Sequence, residues 1–395
     1  MQRPKQAVIL AGGKGLRLYP LTKNCPKPMV DINGYPFIFY IIKELEKNNF
    51  SEVLILIGYQ SQKFNDLLKH CSNLKIKISF FYSPSNFNTG ARLKAASNQL
   101  NDFFFLLYGD NFWPFDFSKI WQSYISNKKD NQAVVYKNTD NYSSSNIKLD
   151  KKNVIIDYDY KRIKNYDYIN IGFFLLKKKY VSYIKNNKNS KFENDILMKL
   201  INSKNLSAYI THHRYYSLTN LLKYFTASNF FSNREKYIFL DRDGVINIKP
   251  KKGNYVKNLN EFKFKDETKK ALKFLSKKRI NVIIVTNQAG LSLGNLKLDS
   301  LNTIHNYIKK EFEIIGLNLK LIIFCPHHWN DNCDCRKPKP GMFYVAQKLF
   351  NIDLTCTPFI GDQKSDKDAS KEASIPYYSL KKDESLFKLV KKIFK

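Results

Sequence analysis

Carboxylates are scarce in this 395-residue chain, where 34 acidic residues stand against 66 basic ones for a formal net charge of +32. That surplus invites a nucleic-acid reading, yet arginine is scarcer still, at nine of the 66 basic residues. Base readout and bidentate phosphate contacts favour arginine, and the lysines are spread without a dense block, so nucleic acid is not an expected partner. A lysine and asparagine bias with little alanine fits drift in an AT-rich genome, while the charge still steers anionic small molecules. Long apolar runs are missing too. Phe103–Tyr108 is of strand length, far short of the ~20 residues that span a membrane, and no membrane partner is expected. Met1–Gln6 leads straight into the first apolar run with no secretory signal, and the expected location is the cytoplasm. Cysteine is limited to six residues. Cys25, Cys71 and Cys356 are isolated and read as small core residues, whereas the other three crowd together near position 330.

The densest chemistry lies past the midpoint. The apolar run Tyr237-Ile238-Phe239-Leu240 stops at Asp241 and Asp243, followed by Gly244. A buried strand thus delivers two acids to its carboxyl end, the edge where ligands collect in open α/β sheets, and the glycine permits a sharp turn. The first acid can attack phosphorus and the second, on the same face, can shuttle a proton. A second strand, Val282–Val285, ends in Thr286, Asn287 and Gln288, a hydroxyl and two amides able to grip phosphate oxygens. Arg336 and Lys337 offer fixed positive charge, and Pro358–Gly361 leads to Asp362, which would complete a magnesium site with Asp241; Asp366 follows four residues on.

Acid pair, hydroxyl, lysine and acid, in that order, resemble the four motifs of the haloacid dehalogenase superfamily of phosphatases over about residues 236 to 395. The resemblance implies that Asp241 forms an aspartyl-phosphate and that Asp243 protonates the leaving group and then activates water. Thr286 and Lys337 would hold the phosphoryl group, and Asp362 and the carbonyl of Asp243 would help Asp241 hold Mg²⁺. No long insertion separates the motifs, so a capless domain is expected, with substrate choice left to loops.

One such loop carries Cys325, His327, Cys333 and Cys335 within eleven residues. Three thiols and an imidazole at that density read as a structural Zn²⁺ site, with His328 the alternative imidazole. The Cys-x-His and Cys-x-Cys-Arg-Lys-Pro pattern resembles the capless phosphatases of heptose bisphosphate and of histidinol phosphate. The short interval from His327 to Cys333 leans to the histidinol phosphate group, and the run Thr286–Leu291 to the heptose group. Leu293 departs from the arginine or lysine usual in the latter.

At the other end, Ala7–Ala11 runs into Gly12, Gly13, Lys14, Gly15 and Arg17, with Lys27 shortly after. Glycines let backbone N–H groups approach a triphosphate, and Arg17 and Lys27 balance its charge. With Pro20-Leu21-Thr22, the run resembles the sugar-1-phosphate nucleotidyltransferases, as do Asn88-Thr89-Gly90-Ala91 and Gly109-Asp110. By that resemblance Gly90 lies near base and sugar, Asp110 is a magnesium ligand for in-line attack of a sugar phosphate on a nucleoside triphosphate, and Lys161, Glu193 and Asp195 are sugar-side candidates. Many relatives place a second ligand aspartate where Ser217 stands, and a hydroxyl does not replace that charge.

The two motif sets do not overlap, and the chain is long for one core. The expected architecture is α/β, with two Rossmann-like domains: a GT-A-like nucleotidyltransferase over 1–232 and a capless haloacid dehalogenase domain over 236–395. Apolar runs alternating with amphipathic ones, such as Ile38–Leu45 before Val53–Ile57, predict a mainly parallel first sheet. Acting in sequence, the halves would take the 7-phosphate from D-glycero-D-manno-heptose 1,7-bisphosphate and join the 1-phosphate product to a nucleotide. GTP and an α-linked heptose would be the pair implied by the resemblance. The alternatives are a histidinol phosphate phosphatase fused to a hexose-1-phosphate transferase, and a phosphatase regulated by a nucleotide-sugar-sensing first half.

Overall fold

Apolar runs become strands buried on both faces, and their alternate residues feed separate cores. In the strand Gln6–Leu10, Ala7 and Ile9 enter one cluster with Val53, Ile55, Phe105 and Leu107. Val8 and Leu10 enter another with Leu54, Leu56, Phe104 and Leu106. Period-two side-chain direction thus builds a three-layer arrangement around a central sheet. The computed structural model describes residues 2–185, 189–233, 235–251 and 253–395, in two compact units, Met1–Ser232 and Asn233–Lys395.

Among the described residues, nine strands form the main sheet of the first unit. Glu52–Ile57 and Phe103–Tyr108 flank Gln6–Leu10, both parallel to it, and Lys77–Tyr82 extends the parallel part. The expectation of a mainly parallel sheet holds there and for Leu206–Thr211, which pairs parallel with Asn131–Lys137. Tyr168–Lys177 runs antiparallel to both Phe103–Tyr108 and Asn131–Lys137, so the sheet is mixed. Chain order reverses between Gln6–Leu10 and Phe103–Tyr108, which places the glycine-rich loop and Asp110 side by side at the switch point.

The second unit has a five-stranded sheet among its described residues, parallel throughout. Lys236–Leu240 lies at its centre between Ile280–Asn287 and Phe359–Gly361. Its two faces again separate, with Ile238, Leu240, Val282 and Ile284 on one side and Phe239, Ile283, Val285 and Phe359 on the other. Between the motifs the described chain adds helices such as Thr268–Lys277 and Leu298–Ile314 but no second sheet. Among the described residues no helix is long and apolar enough to cross a membrane. Of the three isolated cysteines only Cys71 is a buried core residue. Cys25 is half-buried, and Cys356, in the short turn Leu354–Cys356, is exposed.

Candidate active and metal sites

In the second unit the central strand ends at Asp241, which is buried, and its neighbour ends at Asp362. Carboxylate oxygens of Asp241, Asp362 and Asp366 lie within 4.8 Å of one another. Asp366 had no assigned role in the sequence. It occupies the first turn of the helix Lys364–Glu372, where it accepts the backbone N–H of Gln363 at 3.0 Å as the return half of a capping box. Its spacing from Asp362 was the available signal. Lys337 joins the acids, its ammonium 2.9 Å from Asp241 and 2.7 Å from Asp366, and it also donates to the carbonyl of Val285 at 3.0 Å. Burial pushes the Asp241 carboxyl up to about 7 against the pull of Lys337, with Asp366 adding to the rise. Burial would lower the Lys337 ammonium, but Asp241 and Asp366 outweigh it and hold the lysine protonated. Three hard oxygens around one small volume suit Mg²⁺, whose charge would relieve the crowding of the acids.

Asp243 is treated differently. It accepts from Arg242 Nη2 at 2.8 Å, from Asn247 Nδ2 at 2.9 Å and from Gln288 Nε2 at 2.9 Å. Burial alone would raise its carboxyl, but the Arg242 charge and these donors bring it below the ordinary value. Arg242 is wholly buried. The sequence showed it between the two acids, but only the fold turns its guanidinium onto one of them. Gln288 also donates to the Thr286 hydroxyl at 2.9 Å, linking the two strand ends. Gly244 has φ +94°, and a Cβ there would approach Asp362 Oδ2 to 2.4 Å, so the close turn needs glycine.

Two residues expected to bind phosphate are engaged elsewhere. Asn287 donates to the carbonyl of Lys337 and accepts its N–H, both at 3.0 Å, and so fixes the backbone that carries the lysine. Arg336 donates to the carbonyl of His327 at 3.4 Å. In the adjoining loop Cys325, His327, Cys333 and Cys335 converge. Sulfur–sulfur separations are 3.3 to 3.6 Å, and His327 Nδ1 lies 3.2 and 3.5 Å from two sulfurs. These are near the ~3.8 Å edges of a tetrahedron with Zn–S bonds of ~2.3 Å, and the donor set fits Zn²⁺. His328 lies outside the cluster, its Nδ1 accepting the N–H of Asn330.

In the first unit, Lys27 is buried and ion-paired with Asp110. Gly15 has φ +67° and caps the short turn Leu16–Leu18. Gly13 faces open space, and Arg17 is exposed. A Cβ on Gly12 would meet the Arg92 guanidinium at 2.2 Å. Arg92, unforeseen in the sequence, is buried and donates to the carbonyls of Ile57 at 2.6 Å and Phe87 at 2.9 Å, tying the segments behind the loop together. Gly90 is packed against Ser190, with a would-be Cβ 2.8 Å from its carbonyl oxygen. Lys161 is exposed on a turn wound about Asp159, and Glu193 accepts from the Tyr108 hydroxyl at 2.7 Å. Ser217 pairs in register with Asn111, and Leu218 N–H donates to the Asp110 carbonyl at 2.9 Å, so the serine sits beside Asp110. Among the described residues no cluster of three metal-ligating side chains forms there.

Comparison with known proteins places both halves. A family model described as Nucleotidyl transferase matches residues 6–232, and one described as Polynucleotide kinase 3 phosphatase matches 236–383. Curated relatives match the second unit. The D-glycero-beta-D-manno-heptose-1,7-bisphosphate 7-phosphatase of Vibrio cholerae is 33% identical over 145 residues, 35% of this chain and 76% of its own length. The chain belongs to the nucleotidyl transferase family and, by its second unit, to that of these heptose phosphatases. The D-glycero-alpha-D-manno-heptose-1,7-bisphosphate 7-phosphatase of Campylobacter jejuni is 37% identical over 142 residues, 36% of this chain and 80% of its own. The crystal structure of HddC from Yersinia pseudotuberculosis superposes with TM-score 0.52 at 25% identity, over 57% of this chain and 99% of that one. The chain is therefore a fusion enzyme, a nucleotidyltransferase followed by a heptose bisphosphate phosphatase-like domain of the haloacid dehalogenase type.

Proposed function

We propose that residues 236–395 remove the 7-phosphate of D-glycero-D-manno-heptose 1,7-bisphosphate and that residues 1–232 transfer a nucleotidyl group, guanylyl from GTP, to the heptose 1-phosphate so formed. The observation that carries this reading is the convergence of Asp241, Asp362, Asp366 and Lys337 within a segment 33 to 37% identical to heptose bisphosphate phosphatases. Asp241 attacks phosphorus, and the bond from phosphorus to the C7 oxygen breaks as the Asp241–phosphorus bond forms. Asp243 gives a proton to the departing alkoxide, then takes one from the water that hydrolyses the aspartyl-phosphate. As found, Asp243 accepts hydrogen bonds from Arg242, Asn247 and Gln288, which suits the base half of that cycle. Thr286 and Lys337 hold the phosphoryl oxygens. Asp241, Asp362 and the Asp243 carbonyl would hold Mg²⁺, which supplies charge neutralisation between carboxylates and a phosphate dianion. Cys325, His327, Cys333 and Cys335 would hold Zn²⁺ and brace the loop before Lys337, leaving no open position for water.

In the first half, Gly12, Gly13, Gly15, Arg17 and Lys27 receive the triphosphate, Gly90 lies near base and sugar, Asp110 would hold Mg²⁺, and Lys161 meets the sugar phosphate. The relatives' names include both anomers, and the α-linked substrate follows from pairing with a guanylyl acceptor. A reducing cytoplasm is the setting that keeps the zinc-loop thiols available. Phosphate release from each anomer of the bisphosphate and from histidinol phosphate tests the reading. The heptose bisphosphate should be preferred and keep its 1-phosphate. A specificity constant for histidinol phosphate equal to or above it would overturn the assignment.

A further inference from the structure

Lys249 has no part in the roles above. Its ammonium lies 2.6 Å from Oδ2 of Asp362, with the lysine side chain 46% exposed and the aspartate side chain 13% exposed. The other two acids of the cluster share the buried Lys337. Three carboxylates are thus held by two ammonium groups, one enclosed in the core and the other reaching in from solvent. The backbone carrying Lys249 is anchored. Ile248 N–H donates to the carbonyl of Lys263 at 2.8 Å, and the Asn247 amide donates to Asp243 and to the Ile248 carbonyl, each at 2.9 Å. Only the flexible side chain beyond is free to swing. Gly244 also packs near the same Asp362 oxygen, into which a Cβ at that position would run.

Asp362 Oδ1 is buried without a hydrogen-bond partner, but a hard cation at ~2.1 Å from either oxygen of this carboxylate would stand close to the Lys249 ammonium and bring two positive charges together. We infer that Lys249 is a built-in stand-in for the cation: it holds Asp362 while the site lacks metal, yields it to a divalent cation, and then turns its unpaired charge to the anionic group of the substrate. The inference rests on reading Asp362 as a ligand of the cation that Asp241 and the Asp243 carbonyl would also hold. In formal charge, three carboxylates and two lysines leave the pocket at minus one, and a divalent cation entering while the displaced Lys249 stays beside the site brings it to plus one, attractive to a phosphate dianion. Lys249 thereby couples cation entry to anion binding.

The test is calorimetric titration of the full chain with Mg²⁺ alone, then with inorganic phosphate at saturating Mg²⁺, for the wild type, Lys249→Met and Lys249→Arg. Asp362→Asn supplies the background from any other cation site. Lys249→Met should bind Mg²⁺ roughly tenfold more tightly and inorganic phosphate roughly tenfold more weakly, a size set by one half-exposed charge pair. Lys249→Arg, which keeps the charge, should stay near the wild type in both. A merely structural role would move both affinities in one direction, and that result, or an unchanged Mg²⁺ affinity in Lys249→Met, would overturn the inference. If Asp362→Asn binds Mg²⁺ as the wild type does, the cation-site reading itself fails, whatever the Lys249 variants show.

Discussion

The two sheet edges obey one topological rule and carry different chemistry. In the second unit, adjacent parallel strands, in register at Leu240 and Ile360, each end in an acid, and a helix just beyond supplies a third. In the first unit the strand next to Asp110 ends in glycines, and the short strand beside it brings Ser217. One edge concentrates side-chain carboxylates suited to a cation and a covalent nucleophile. The other offers backbone N–H groups and a single acid already paired with Lys27. A switch point therefore places a site, while the residues just past the strand ends decide whether it performs covalent chemistry or holds a polyphosphate.

The strongest way to break this contrast is to remove Asp241, the proposed nucleophile. Asp241→Asn should lower phosphate release by at least about ten-thousandfold, with nucleotidyl transfer by the same preparation within about twofold of wild type. Loss of both activities in a folded variant would mean that the two sites are not independent. In the other half, Asp110→Asn should lower transfer by about a thousandfold and spare phosphate release, as read by nucleotide-sugar formation in the presence of Mg²⁺. An intermediate effect is expected from the loop. Cys333→Ser should lower phosphatase activity by roughly ten- to a hundredfold, and metal analysis should give about one zinc per wild-type chain and much less in the variant. Much less than one in wild-type protein purified without chelators would sink the zinc assignment. The smallest change sharpens the comparison. Ser217→Asp puts a second carboxylate beside Asp110 and should reduce the Mg²⁺ needed for half-maximal transfer by roughly three- to tenfold. No change would show that another group already completes that site.

The two families and the order of the motifs are legible along the chain, because strand-length apolar runs ending in Asp241, Thr286 and Gly361-Asp362 have few folded solutions. The sequence also showed which thiols could share a metal, since Cys325, His327, Cys333 and Cys335 lie too close in the chain to be separated by a strand. How each charge is matched emerges from packing. Asp366 meets Lys337 because a helix cap and a loop from a different part of the chain converge there. Asn287 is spent on the Lys337 backbone rather than left for a ligand, and Arg242 is turned onto Asp243. Arg92 serves the glycine-rich loop from about eighty residues away. A run of apolar residues declares its strand locally, whereas a buried charge must find its partner wherever packing brings one within hydrogen-bond reach, and that pairing is written in no single stretch of sequence.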